Sequence, residues 1–509
     1  MIDRTISFFK SLNETKLLLL LLGITFGLRL YAVSMAQGIA ADSAAYGFIA
    51  RDFLKGNFIK GLSSTAAPPF YPFLIFLLSP DTAHVEIVGR FISLFFGTLT
   101  VIPLFYLVKE ALGQKVAIFS ALFYSLHPYL VTYSGMLLTE TTYWGLFVLS
   151  VYFFWTGLKS LKAWRALLSG VFLGLAYLTR PEGIGYVLIY LIWAVMYGYL
   201  KGEWLKRSIF IGVLTLGIFS FVLPYVLYIH QETGQWLMSK KAVAIQSKLL
   251  SQESEQPDSS NTVHQGKPVG KSSTILMIAQ NVIRFLPSVT YRYVRAYHFS
   301  LALFLFFGLI RVRQQVIPYE LFVGSLVLFH LFSLSAWLPS TTRLSVPVIP
   351  LSLLWAGAGV FEMKRYLEKM KGTNAEKVIF LLILCVILIQ LPQSLKPERN
   401  FRSGQKGVGL WLKQNTPSDA IIMSNSPQEA FYADREFVLL PPGTSIHGNP
   451  DKSYQEIVSY ARTTGVRYVL VNQNTHEMNP GFVESIRSSD LREIFRRPDG
   501  GSIIYEVIY

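Results

Sequence analysis

Stretches of about 20 apolar residues, each long enough as a helix to cross ~30 Å of hydrocarbon, recur along the first 395 residues. Within lipid every backbone N–H and C=O needs an internal partner, so runs of this length have to be helices rather than irregular chain. The first, Leu17 to Ala36, begins directly after Lys16. Over all 509 residues the chain is 52% hydrophobic and 15% charged, with a mean hydropathy of +0.40. That is too apolar for a soluble enzyme of ordinary make-up. The formal charge of +15 would suit nucleic acid in a soluble protein. Here the basic residues sit mostly in short links between apolar runs, which is a topology signal and not a DNA-binding face.

The runs predict spans near 17–36, 87–108, 116–135, 140–158, 166–179, 184–200, 208–229, 297–310, 318–338, 344–362 and 378–394, about eleven in all. With a cytoplasmic amino end, alternate links carry the charge: Lys109 and Lys115; Lys159, Lys162 and Arg165; Lys201, Lys206 and Arg207; Arg311 and Arg313; then Lys364, Arg365, Lys369, Lys371 and Lys377. The short links on the other side are poor in Lys and Arg, as the positive-inside rule requires. The amino end also has the charge and Leu-rich core of a signal peptide, with Ser34 and Ala36 near a possible cleavage point. Its length of about 20 residues and the many spans after it favour an uncleaved first span.

Three segments then lie outside: 37–86, 230–296 and everything after about 395. Ser247 to Ser273 is rich in Ser, Gln, Gly and Lys, buries too little apolar surface to fold alone, and reads as a mobile loop or lid. The last segment changes character. Short β-like runs (Ala420 to Met423, Phe437 to Leu440, Val466 to Val471, Ser502 to Ile508) alternate with helical ones (Val408 to Gln414, Tyr454 to Thr463). The expected fold is therefore a polytopic α-helical membrane domain, 1–395, followed by an extracytoplasmic α/β domain, 396–509. The single cysteine, Cys385, lies in an apolar run and excludes an intramolecular disulfide.

Chemistry is best sought at the outer ends of the spans. After the first run come Ala40-Ala41-Asp42-Ser43-Ala44-Ala45-Tyr46, an amphipathic stretch from Tyr46 to Leu54, and Pro68-Pro69-Phe70-Tyr71-Pro72. Asp42 can cap the helix that follows it, or act as a general base at the membrane surface, and the two roles are compatible. Arg29, inside the first run near its outer end, reads as a snorkelling residue. His127, before Pro128, reads as an interfacial residue.

Together these segments resemble the first outer loop of type C glycosyltransferases (the GT-C superfamily), above all the bacterial branch related to protein O-mannosyltransferases and lipid A aminoarabinose transferases. The resemblance continues through Gly89-Arg90-Phe91-Ile92-Ser93, Leu138-Thr139-Glu140, Leu178-Thr179-Arg180-Pro181-Glu182-Gly183 and Arg343-Leu344-Ser345-Val346-Pro347-Val348-Ile349-Pro350, and it spans roughly residues 17–360. It implies transfer of a sugar from a polyprenyl-phosphate carrier to a lipid, glycan or protein acceptor at the outer face. By the same resemblance Asp42 is the candidate base, and Glu140 matches a second acidic position that orients the acceptor or helps to hold a metal. An inverting displacement needs one carboxylate on the attacking side. The departing phosphate is a weak base and needs positive charge rather than a proton. Arg343 is the first candidate for that cation, with Arg180 and Arg292 of the Tyr291-Arg292-Tyr293-Val294-Arg295 cluster behind it. Snorkelling is the alternative for each Arg, and a carboxylate that complements the helix dipole is the alternative for Glu140. Relatives often carry His or Lys before the Pro-Pro pair, where this chain has Ala67.

No cofactor is indicated. The eight His residues are scattered and no helix pairs ligands at i and i+4, although the resemblance leaves room for a divalent metal at Glu140. No glycine-rich loop follows a strand, which argues against a soluble nucleotide-sugar donor. No Asn-x-Ser/Thr site falls in the outer segments, in keeping with a bacterial inner membrane. A transporter is the first rival reading, but the runs lack Gly/Pro-broken pairs in two matching halves. A polysaccharide polymerase or ligase using lipid-linked glycans is the second, and a non-enzymatic scaffold the third.

Overall fold

The computed structural model describes residues 13–63, 67–201, 203–240, 271–314, 317–337, 341–370, 374–396, 401–441 and 450–509. Most of the expected lid, 247–270, lies outside them. The chain divides into two compact units: one of residues up to 34, 62–78 and 87–396, the other of 35–61, 79–86 and 397–509.

In the first unit the apolar runs fall on helical segments, two of them broken by sharp bends. Six described helices are long and apolar enough to cross a membrane: Glu14–Met35, Val85–Leu112, Trp204–Thr233, Pro318–Ala336, Thr342–Glu368 and Ala375–Ser394. Two bent pairs would bring the number to eight, and Ala163–Thr179 and Pro181–Tyr197 are shorter apolar helices. The bend of 56° between Gln114–Leu126 and Pro128–Ser134 has a local cause. Pro128 forces His127 out of the helical region, to ψ 121°, and the helix ends there. The second bend, 81°, breaks the run expected at 297–310. Its first arm, Lys271–Tyr297, is a helix within a segment read from sequence as an outer loop. Mixed polar and apolar composition hid it, because the hydropathy pattern shows long apolar helices far better than amphipathic ones.

Close helix approach in this unit depends on missing side chains. A methyl group on Gly308 would fall into the Trp355 carbonyl, and one on Gly359 into the Phe304 carbonyl. Helices Ala302–Gln314 and Ile349–Glu368 therefore touch backbone to backbone, the packing that small residues allow when lipid supplies no hydrophobic drive between helices.

The second unit is built on a five-stranded sheet of order β2-β1-β3-β5-β4: β1 Ile421–Ser424, β2 Glu436–Leu439, β3 Val466–Asn472, β4 Leu491–Arg496 and β5 Ser502–Val507. β1 pairs in parallel with β2 and β3, whereas β5 runs antiparallel to β3 and β4. Successive residues of β3 alternate between two cores. Tyr468 and Leu470 pack with Val408, Leu412 and Ala430, and Val469 and Val471 pack with Tyr454, Ile457 and Phe482. Both faces are covered, which is why β3 reads as an unbroken apolar run. β4 escaped the sequence reading because Arg492, Glu493 and Arg496 break its pattern, as is usual for an edge strand.

The amphipathic stretch after the first span is the helix Ala41–Leu54 of this second unit. Phe48 lies edge-on to Phe431 and stacks on Phe437, with centroids 5.8 and 6.2 Å apart. Arg51 stands 3.9 Å above the Phe431 ring, donates 2.7 Å to the Phe431 carbonyl and pairs with Asp434 at 3.3 Å.

Candidate active site

Three chain breaks in the first unit turn charged side chains inward. Leu138 is extended and starts the helix Thr139–Ser160, which puts Glu140 in its first turn, at the positive end of the helix dipole. Arg180 precedes Pro181, cannot stay helical, and ends Ala163–Thr179 with an extended backbone at φ −148°. The turn after it comes so close to the preceding helix that a Cβ on Gly183 would lie 2.9 Å from Tyr177 N. Arg343 occupies the one-turn helix Thr342–Ser345, which leads into Pro347 and Pro350.

These three residues converge. Arg180 Nη1 donates to Glu140 Oε1 at 2.9 Å, and Arg343 Nε donates to the same oxygen. Arg180 Nη2 also donates to Glu182 Oε1 at 3.1 Å. Glu140 has no exposed surface, the Arg180 side chain is 9% exposed and that of Arg343 28%. Arg343 is thus the member most open to a ligand. A buried carboxylate in an apolar unit is tolerated because opposite charges reach it, and its removal would leave two cations uncompensated.

His330, which sequence reasoning passed over, fixes the Arg343 turn from behind. Its Nε2 lies 2.8 Å from the Leu344 carbonyl and its Nδ1 2.8 Å from Tyr186 Oη. The carbonyl only accepts, so Nε2 carries the proton and Nδ1 accepts from the tyrosine hydroxyl. Lys240 was missed as well. It donates 2.8 Å to the Leu62 carbonyl, just before the Pro-Pro segment, and pairs with Glu232. The only sequence signal was a Lys-Lys pair in a long outer loop, which the positive-inside rule discounts.

Arg292, Arg29 and His127 form no ion pair with this cluster. Asp42 belongs to the second unit, is exposed, and is the second residue of its helix rather than the cap. The cap position is Ala40, whose N–H donates to Ser43 Oγ at 3.2 Å, so Ser43 takes the capping role expected of Asp42. Arg292 is half-buried on Lys271–Tyr297, a helix that packs against the Arg343 turn, and it forms no ion pair with another described residue. Arg29 does not snorkel. It is fully buried, 4.8 Å over the Tyr124 ring, with Nη1 3.3 Å from the Thr25 carbonyl and 3.4 Å from that of Ser125. His127 is likewise in the core and not at an interface, with Nε2 3.3 Å from the Tyr297 carbonyl.

Glu140 does not fit a divalent metal. One of its oxygens carries two guanidiniums, and no group of three His, Cys, Asp or Glu that could hold a metal occurs among the described residues.

The profile of the family described as dolichyl-phosphate-mannose-protein mannosyltransferase matches residues 66–228, which hold Glu140, Arg180 and the Pro-Pro segment. No curated protein matches the chain by sequence. Among solved structures the chain is similar to ArnT from Cupriavidus metallidurans bound to undecaprenyl phosphate, with a TM-score of 0.61 at 11% identity over 97% of this chain and 99% of that one. It is also similar to the apo oligosaccharyltransferase of Archaeoglobus fulgidus, with a TM-score of 0.59 at 12% identity over 98% of this chain and 75% of that one. A third similar structure is AglB of the same organism in complex with an inhibitory peptide and a dolichol-phosphate, at 0.54 and 11% over 95% and 74%. The family match is confined to residues 66–228, and the solved structures show that the chain shares their fold.

Proposed function

We propose that this protein moves a hexosyl or pentosyl group from a polyprenyl-phosphate carrier to an acceptor at the extracytoplasmic face of a bacterial inner membrane. The reading has about eleven spans, a cytoplasmic amino end and an extracytoplasmic carboxyl-terminal domain. The observation that carries it is the pair of arginines gathered on one buried carboxylate, with Arg343 the more open of the two. A guanidinium held in advance where negative charge develops costs no reorganisation during the reaction.

In the proposed step the acceptor hydroxyl attacks the anomeric carbon and passes its proton to the Asp42 carboxylate. The bond between that carbon and the phosphate oxygen breaks, and the electron pair leaves on polyprenyl phosphate, facing Arg343. Glu140 and Arg180 position that cation, and Arg292 supplies a further positive charge. The transfer inverts the anomeric centre because it is a single displacement. Carriers of the same kind accompany two of the similar structures, undecaprenyl phosphate in one and dolichol-phosphate in the other.

The base is tested by supplying the purified protein with a radiolabelled polyprenyl-phosphate sugar and comparing it with Asp42→Asn. Loss of a positioned general base is expected to slow donor consumption about 100-fold or more while leaving donor binding in place. Equal turnover by the variant removes Asp42 from the mechanism.

A further inference from the structure

Hydroxyls packed inside the first unit satisfy themselves along their own helices. Thr25 donates to the Leu21 carbonyl at 2.6 Å, Thr100 to that of Phe96 at 2.6 Å and Ser120 to that of Val116 at 3.0 Å, each four residues back. Thr98, on the helix Val85–Leu99, departs from this. It is 5% exposed, and its hydroxyl has no partner among the described residues. A polar atom buried within an apolar span is costly unless something completes it.

Thr98 borders an apolar groove of about 400 Å³ on the first unit. Leu19 and Phe26 of the helix Glu14–Met35 stand on one side of it and Phe95 and Leu99 on the other, all four exposed, with Gly23 between them. Gly23 and Gly27 fall on the same exposed face as Leu19, Phe26 and Leu30. No atom lies within 4 Å of the place a Cβ would take on either glycine. Packing inside the chain therefore explains neither of them, in contrast to Gly308 and Gly359, and a helical glycine costs stability relative to alanine. The spacing Gly-x-x-x-Gly in an apolar helix of this length is the pattern that lets two helix backbones meet in lipid.

We propose that this groove seats the same helix from a second copy of the chain, the two Glu14–Met35 helices crossing at Gly23 and Gly27. A lipid chain settles on any apolar surface. It needs no glycine, and within the hydrocarbon it brings nothing that a hydroxyl can bond. A helix meets both requirements. Bare backbone at Gly23 and Gly27 lets another helix approach closely, and the carbonyls it brings can accept from Thr98. A second copy fits because the patch is self-complementary. A two-fold axis sets the bare backbone of each copy against that of the other, and the Leu19 and Phe26 ridges of each into the facing groove. None of these residues takes part in the proposed transfer, so the interface stands or falls independently of it.

The test is energy transfer between donor- and acceptor-labelled full chains in liposomes, followed as lipid dilutes the protein. The parent is expected to show transfer well above random mixing, with Gly23→Ile or Gly27→Ile weakening association about tenfold and Thr98→Val about threefold. Both glycines have open space beside them, so the larger side chain does not disturb the fold of a single copy. Oxidation in a Cys385→Ser background gives a second reading. Gly23→Cys is expected to form a disulfide between copies, and Leu388→Cys, exposed on the helix Ala375–Ser394, to form none. Transfer by the parent no greater than random mixing, or transfer that all three variants leave unchanged, overturns the proposal and returns the groove to lipid or to a helix of another protein.

Discussion

A carboxylate with no access to water is costly unless charge comes to it, and Glu140 draws two arginines onto a single oxygen. Glu140→Ala is accordingly expected to destabilise the first unit by about 3–5 kcal/mol, the usual cost of stranding buried charge. Thermal unfolding of Glu140→Ala, Arg343→Ala and the double variant checks this, since the double variant should lose less than the two singles added together. Glu429 makes the opposite kind of residue. Burial pushes its carboxyl up to about 7, against the lowering influence of Asn472, Arg497 and Gln405. The proton is then held more tightly in the folded chain than in the unfolded one, so the benefit is full below about pH 4 and is lost as pH rises through 7. The loss amounts to about 3 kcal/mol, and Glu429→Gln should melt higher than the parent at pH 8 while matching it near pH 4. The sequence offered up Glu140, Arg180 and Arg343 separately because each stands at a chain break marked by Pro or a helix start. It could not show that they meet, since they are 40 and 163 positions apart in turn. It misassigned Arg29 for a related reason: burial of a span face is decided by neighbouring helices and not by distance from the membrane surface.

Helices of the first unit were legible as apolar runs because lipid demands length and hydropathy together. What the runs concealed were the breaks. His298 takes a left-handed φ of +72° between Lys271–Tyr297 and the helix beyond it, and no hydropathy pattern anticipates a bend of 81°. Strands showed through where both faces are buried, as in β3, and vanished at the charged edge strand β4. The tightest helix contact makes a direct prediction. Gly308→Leu or Gly359→Leu has no room beside the Trp355 and Phe304 carbonyls, so each should separate two helices and lower the yield of folded protein, read by size-exclusion profile in detergent. On the helix Ala41–Leu54, Phe48→Ala removes a ring that meets Phe431 edge-on and stacks on Phe437, and is expected to cost about 3 kcal/mol in the second unit, with proteolysis near residue 55 as the readout.

At the scale of the molecule, the mostly helical fold with long apolar helices came from the sequence, while the assignment of 35–61 and 79–86 to the unit that also holds the carboxyl-terminal sheet did not. Such long-range packing leaves no periodicity of its own. The proposed topology has a clear test in a Cys385→Ser background: Asp499→Cys should react with a membrane-impermeant maleimide from outside, and Lys162→Cys only after permeabilisation. The proposed chemistry rests on a cation prepared for a departing lipid phosphate, and that is measured most directly by release of polyprenyl phosphate from a labelled polyprenyl-phosphate sugar in nanodiscs. The expected result is acceptor-dependent release by the parent that falls about 100-fold in Arg343→Ala. Undiminished release by that variant, or movement of intact donor across the bilayer with its sugar–phosphate bond unbroken, would contradict it.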